Sequence, residues 1–161
     1  MLLNFSSDII VVNKSKGRVI MKIQRIHLDG FKNLNRVDIS FNKITALVAV
    51  NNFGKSNVLA GIQFGLDFIR AKEDERNGFM QGDDLIPINK SSVDKDFRFE
   101  VETVTSINEI KYRIIYGFSF RWVKSDGEKA EISDEYLKIK VDVKGTKYTQ
   151  LINRQGKQAF Y

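Results

Sequence analysis

The sequence predicts a mixed α/β fold, in which a P-loop strand–helix unit is followed by an antiparallel β-meander. Three observations predict it. ITALVAV, residues 44–50, is apolar throughout but for Thr45, as a strand covered on both faces would be. SNVLAGIQFGLDFIRA, from Ser56 to Ala71, brings Val58, Leu59, Ile62, Leu66 and Ile69 round at steps of three and four, which is helical periodicity. From Phe97 onward the chain alternates apolar and polar residues with a period of two, the pattern of half-buried strands.

Taken in order, MKIQRIHL (21–28) is strand-like, and Gly30 breaks it. RVDISF (36–41) puts Val37, Ile39 and Phe41 on one face and Arg36, Asp38 and Ser40 on the other. Within the predicted helix Gly61 and Gly65 stand four apart. Each would cost roughly 1 kcal/mol in an exposed helix, so they point to close packing against a neighbour. From Ala71 to about Asp96 the pattern gives way to charge, Gly, Asn and the lone Pro87, which reads as a long loop with room for a short helix. In the last third, FRFEVETV, KYRIIYGFSFRW, LKIKVDVKG and KYTQLINR are four strand candidates, with turns at SDGE and VKGT. The aromatic stripe from Tyr112 to Trp122 is explained by a sheet face packed on the core, with a base-stacking platform as the sharper alternative. The chain therefore divides into an extension, 1–20, expected to be weakly ordered or an edge strand, and a body, 21–161. The body comprises the P-loop unit (21–70), the long loop (71–96) and the β subdomain (97–161).

Composition narrows the function. With 161 residues and 42% hydrophobic content the chain can bury one core. Its net charge of +6 suits nucleotide or nucleic-acid partners, although the lysines are scattered and KEDER mixes both signs. No cysteine is present, which removes disulfides and thiolate metal sites and fits a reducing, cytoplasmic compartment. The single histidine, His27, lies inside a strand-like run and reads as structural. No apolar stretch approaches the roughly 18 residues of a transmembrane helix, so no membrane partner is expected.

The chemistry-bearing segment is AVNNFGKSNVL, residues 49–59. It matches the P-loop pattern G-x-x-x-x-G-K-[ST] at Gly54, Lys55 and Ser56, between a predicted strand and a predicted helix. Successive backbone N–H groups from Asn52 to Asn57 can converge on phosphate oxygens, and the helix dipole favours an anion there. Gly54 permits torsions and close approach that a Cβ would hinder. Lys55 supplies a point charge for the β/γ-phosphates, and Ser56 a hydroxyl for Mg²⁺. The departure is Ala49, where the pattern has its first glycine.

MKIQRIHLDGFKNLNRVDISFNKITALVAVNNFGKSNVLAGIQFGLDFI resembles the start of the ATPase heads of the SMC/Rad50/RecF class. It is most similar to the subgroup of OLD-family nucleases and related AAA-type defence ATPases. The resemblance rests on a first strand, the triplet Phe31-Lys32-Asn33, a short antiparallel strand, an apolar strand, and an N-x-x-G-K-[ST]-N loop. It is specific over the first fifty or so of these residues and loose to residue 161. It implies a P-loop NTPase half-domain, the N-terminal lobe of an ABC-type head. It also implies ATP and Mg²⁺ as ligands, Lys32 and Asn33 beside the phosphates, and a cradle of Asn51, Asn52, Phe53, Gly54, Lys55, Ser56 and Asn57. A second head would close the site as a homodimer, working on DNA or RNA in repair or phage defence.

An ATPase of this kind needs an Asp-Glu pair at the end of an apolar strand to hold Mg²⁺ through water and activate the attacking water. The sequence has no such pair, and no signature helix, so no catalytic residue is assigned. In the family these elements follow the point where the chain ends, and the expectation is a lobe that binds ATP and turns it over poorly alone. The alternative is a stand-alone nucleotide- or anion-binding module that acts through association.

Overall fold

The computed structural model describes residues 8–13, 17–42, 45, 54–87, 94–124, 129–156 and 158–160. Its centre is one sheet. Strands β1 (Asp8–Asn13), β2 (Gly17–Asp29) and β3 (Val37–Ser40) precede helices α1 (Lys55–Arg70) and α2 (Glu73–Phe79). A 3₁₀ turn follows at Asp83–Leu85. Then come β4 (Phe97–Ile107), β5 (Ile110–Phe120), β6 (Ile132–Val141), β7 (Thr149–Gln155) and β8 (Gln158–Phe160).

The strand order is β1-β2-β4-β5-β6-β7-β8, with β3 also pairing β2. β2 is long enough to take β1 along its first half and β3 along its second, while its other edge pairs with β4. A bulge between Ile23 and Arg25 keeps Ile23 and Ile26 on one face despite their odd spacing. Every pairing among the described residues is antiparallel.

That corrects the expected fold class. An α/β fold, a P-loop NTPase half-domain with a meander appended to it, is not what the described residues form. They form a mostly antiparallel sheet with one long helix laid against it. The reason is physical. Helical periodicity and a G-K-S tripeptide are local signals, whereas fold class is set by which strands pair across the chain. MKIQRIHL pairs along FRFEVETV and on to Thr105, far along the chain, so the stretch read as the opening of a separate unit is built into the meander. Apart from Thr45, the strand expected over 44–50 lies outside the described residues.

The helix covers one face because the sequence makes that face apolar. Register places Leu28, Phe99 and Phe118 side by side, and Phe97 beside Phe120. All five are buried. α1 lies on them through Gly61 and Gly65. A Cβ at Gly61 would stand 2.5 Å from Leu28 Cδ2, and one at Gly65 would stand 2.2 Å from Phe99 Cδ2. The close approach brings Phe68 into a stack with Phe118 at 4.4 Å between centroids. Phe64 meets Phe97 edge-on at 5.0 Å. Phe118, Phe120 and Trp122 of the aromatic stripe are thus core, with Tyr116 packed against them and Tyr112 half-buried, each buried ring pair adding about 0.5–1.5 kcal/mol to its burial.

The opposite face is polar. Arg25 bridges Asp38 and Glu100, and His27 Nδ1 lies 3.1 Å from Asp38 Oδ2. The Tyr136 hydroxyl donates to Glu100. Partial burial pushes the Asp38 carboxyl up, but hydrogen bonds from His27 and Arg25 outweigh it and hold it below the usual carboxylate range.

Between α1 and β4, residues 71–96 carry α2 and the 3₁₀ turn, the short helical content for which the loop reading left room. Among the described residues no helix is long and apolar enough to cross a membrane.

Candidate phosphate-binding site at the N-terminus of α1

The site is built around a tight loop between β2 and β3. Asp29, the last residue of β2, accepts hydrogen bonds at Oδ1 from the backbone N–H groups of Gly30 at 2.9 Å and Arg36 at 3.0 Å, which closes the loop on itself. Gly30 takes φ +68°, and a Cβ there would stand 2.2 Å from the Asp96 carbonyl oxygen, so only glycine fits. Its own carbonyl accepts from Trp122 Nε1 at 2.8 Å. Phe31 is buried beneath the helix, and Leu34 N–H donates back to the Phe31 carbonyl at 2.8 Å. Of the two residues between them, Asn33 is exposed at the tip and Lys32 is half-buried.

Asn33 meets the start of α1. Its Oδ1 accepts from Asn57 Nδ2 at 2.8 Å. The direction toward which Gly54 would extend a Cβ ends 3.3 Å from Asn33 Nδ2. Gly54 is the N-cap residue, in the left-handed region at φ 93°, and no side chain caps the helix. The first intrahelical bond runs from Val58 N–H to the Gly54 carbonyl at 2.9 Å. The N–H groups of Lys55, Ser56 and Asn57 therefore precede the intrahelical ladder. The first turn carries no acid and Ser56 is exposed. An aligned dipole worth about half a positive charge ends here, with no acidic residue in the helix's own first turn. These residues fit a phosphate with its metal: backbone donors, a lysine, and a hydroxyl open to a cation.

Of the residues singled out from the sequence, Asn33, Gly54, Lys55, Ser56 and Asn57 come together at this point. Lys32 sits at φ 50°, donates its N–H to the Leu85 carbonyl at 2.8 Å, and carries its ammonium 5.9 Å above the Phe31 ring centroid. Asn51, Asn52 and Phe53 lie outside the described residues. Sequence reasoning missed Asp29, whose carboxylate shapes the loop that presents Asn33. The signal was there in Asp29-Gly30, a turn dipeptide closing an apolar run. It also missed the hydrogen bond by which the Leu85 carbonyl, at the end of the 3₁₀ turn, holds the Lys32 backbone. Among the described residues no group of three or more His, Cys, Asp or Glu is arranged to hold a metal ion.

A family model described as a protein of unknown function, DUF2813, matches residues 21–149. No curated protein matches the chain.

Proposed function

The chain belongs to the DUF2813 family, and we propose that it binds Mg-ATP at the N-terminus of α1. The observation that supports this reading most is the convergence of Asn33 and Asn57 on a glycine-capped, acid-free helix start bearing Lys55 and Ser56. Backbone N–H groups of the first turn receive the phosphate oxygens, and the Lys55 ammonium balances their charge. The Ser56 hydroxyl is the protein's ligand to Mg²⁺, and bound Mg²⁺ would neutralise charge between phosphates. Asn33 holds Asn57 and offers its amide beside Gly54. The resemblance of residues 21–70 to SMC/RecF-like and OLD-family heads supports the choice of ATP and extends it to a nucleic-acid-linked ATPase that works as a head-to-head dimer. No catalytic residue is assigned. Calorimetric titration with Mg-ATP tests the reading. Lys55→Ala should weaken binding by about 1.5–3 kcal/mol, the range for hydrogen bonds to charged groups. Equal affinity in the variant and the parent overturns it.

A further inference from the structure

The large hydrophobic side chains left exposed among the described residues are not scattered. Ile20, Ile107, Ile110, Val141, Val143 and Tyr148 lie at one end of the sheet, and Leu151 sits nearer its middle. The phosphate loop is at the opposite end, where β2 finishes at Asp29.

Two turns form this apolar end. Ile107 and Ile110 pair across a two-residue turn in which Asn108 and Glu109 take φ 49° and 68°. Beside it runs the connection from β6 to β7. The Asp142 N–H donates to the Lys111 carbonyl at 2.8 Å and ties the two turns together. Within the connection the Val143 N–H donates to the Val141 carbonyl at 2.8 Å. The Thr146 hydroxyl reaches the Val141 and Val143 carbonyls at 2.6 and 2.7 Å. Val143 is therefore 59% exposed in a turn closed by its own hydrogen bonds. The backbone holds these apolar side chains outward, so little ordering remains to be done on binding.

Cations frame them. Lys22, Arg113 and Lys140 fall in one row across the sheet, through Val104 of β4. Lys111, Lys144 and Lys147 lie on the turn side of that row. The acids at this end are Glu109, Asp142 and Glu102, and Arg113 binds the last two. Six cations against three carboxylates leave a net charge of +3. Asp8 and Arg18, on β1 and β2 at the same end, cancel each other. None of the five lysines has an ion-pair partner among the described residues. Lys140 carries its ammonium over the Tyr148 ring, 4.8 Å from the centroid.

We infer that this end of the sheet docks on an anionic lipid surface. The ammonium groups meet the headgroup charge, the aliphatic side chains enter the boundary beneath it, and Tyr148 sits at headgroup level, where tyrosine is favoured. The contact is peripheral and asks for no span; no described helix is long and apolar enough for one. A second copy is disfavoured as the occupant, because each would bring the same positive charge. A nucleic acid would use the lysines but gives no reason for Ile110 and Val143 to stand exposed.

Co-sedimentation of the full chain with phosphatidylcholine vesicles, with and without phosphatidylserine, tests the assignment. The chain should pellet with the anionic vesicles, come off as salt rises, and pellet poorly with the neutral ones. Ile110→Ser with Val143→Ser should weaken binding by about tenfold, the worth of burying one aliphatic side chain. Lys144→Gln with Lys147→Gln should weaken it as well. All four positions are exposed, so urea midpoints should stay with that of the parent. No pelleting with anionic vesicles, or equal pelleting with both kinds, overturns the proposal. So does single-stranded DNA binding that removes the chain from vesicles while the serine variant binds them as the parent does. A dimer in solution that the serine variant abolishes would give this end to a second copy instead. None of these outcomes bears on Lys55, so the Mg-ATP reading stands or falls separately.

Discussion

Gly65 and Phe99 share one contact that no other residue pair could make: the ring of Phe99 occupies the space a Cβ on residue 65 would fill, with Cδ2 at 2.2 Å and Cε2 at 2.3 Å. Phe99 is fully buried on β4, so the ring has nowhere to withdraw. The helix gains its seat on the sheet from the missing side chain. Gly65→Ala should therefore lower stability by about 1–3 kcal/mol through overpacking, although alanine is the better helix former. Gly61→Ala should cost less, because the atom it meets is the end of the Leu28 side chain. Urea unfolding of the two variants checks the order. A Gly65→Ala protein as stable as its parent would show that α1 does not sit this close.

Gly78 in α2 provides the opposite case. A Cβ there would meet nothing within 4 Å. With no steric cost, Gly78→Ala should raise stability by about 0.5–1 kcal/mol, the propensity difference in a helix. The same unfolding measurement should thus move in opposite directions for two glycine-to-alanine changes in neighbouring helices.

Tyr116 sets an alkaline limit. Burial raises its pKa first, and its hydrogen bond to Glu135 raises it further. An unfolded tyrosine ionises near pH 10. Since the native value lies above the unfolded one, the stabilisation is complete below about pH 10 and falls as pH rises toward the native value. The fall is at most about 1.4 kcal/mol per pH unit for one such group. Tyr116→Phe should flatten the decline of the urea midpoint above pH 10 relative to the parent. Parallel curves would mean that the hydroxyl ionises as freely in the fold as outside it.

How much of this was legible before the structure depends on how local each feature is. The period-two pattern of Phe97, Phe99 and Val101, and of Tyr116, Phe118 and Phe120, names their buried face without any knowledge of partners. The glycine pair 61 and 65 announces close packing in the same way. What those patterns do not carry is pairing. Nothing in RVDISF says that it adds to the same strand that takes β1, and nothing in MKIQRIHL says that it sits beside β4, so the sheet was read as two units. At the candidate site, Gly54-Lys55-Ser56 can be read from the helix start alone. The hydrogen bond from Asn57 to Asn33 spans twenty-four residues and depends on the Asp29-closed loop, so residue spacing offers no route to it.

Turnover follows from what the sequence omits. No carboxylate of this chain is assigned to orient an attacking water. Phosphate release from Mg-ATP by the 161-residue chain should therefore stay well below the usual enzyme range, whose lower end is about 1 s⁻¹. Turnover at or above that rate, abolished by Lys55→Ala, would show that a catalytic acid lies within these residues.

Asn33 allows the charge of the proposed ligand to be tested apart from the fold. Its Oδ1 accepts from Asn57, and its amide nitrogen lies beside the space over Gly54. Asn33→Ala removes both roles and should weaken Mg-ATP by about 0.5–1.5 kcal/mol, one neutral hydrogen bond. Asn33→Asp is the sharper change. The aspartate can still accept from Asn57 Nδ2, so thermal stability should stay close to that of the parent. It also places a carboxylate where phosphate charge would arrive. Affinity should fall further than in Asn33→Ala, and the deficit should shrink as added salt screens the repulsion. If Asn33→Asp binds Mg-ATP as well as Asn33→Ala at low salt, no anion sits at this end of α1, and the reading of Gly54, Lys55 and Ser56 as a phosphate site fails with it.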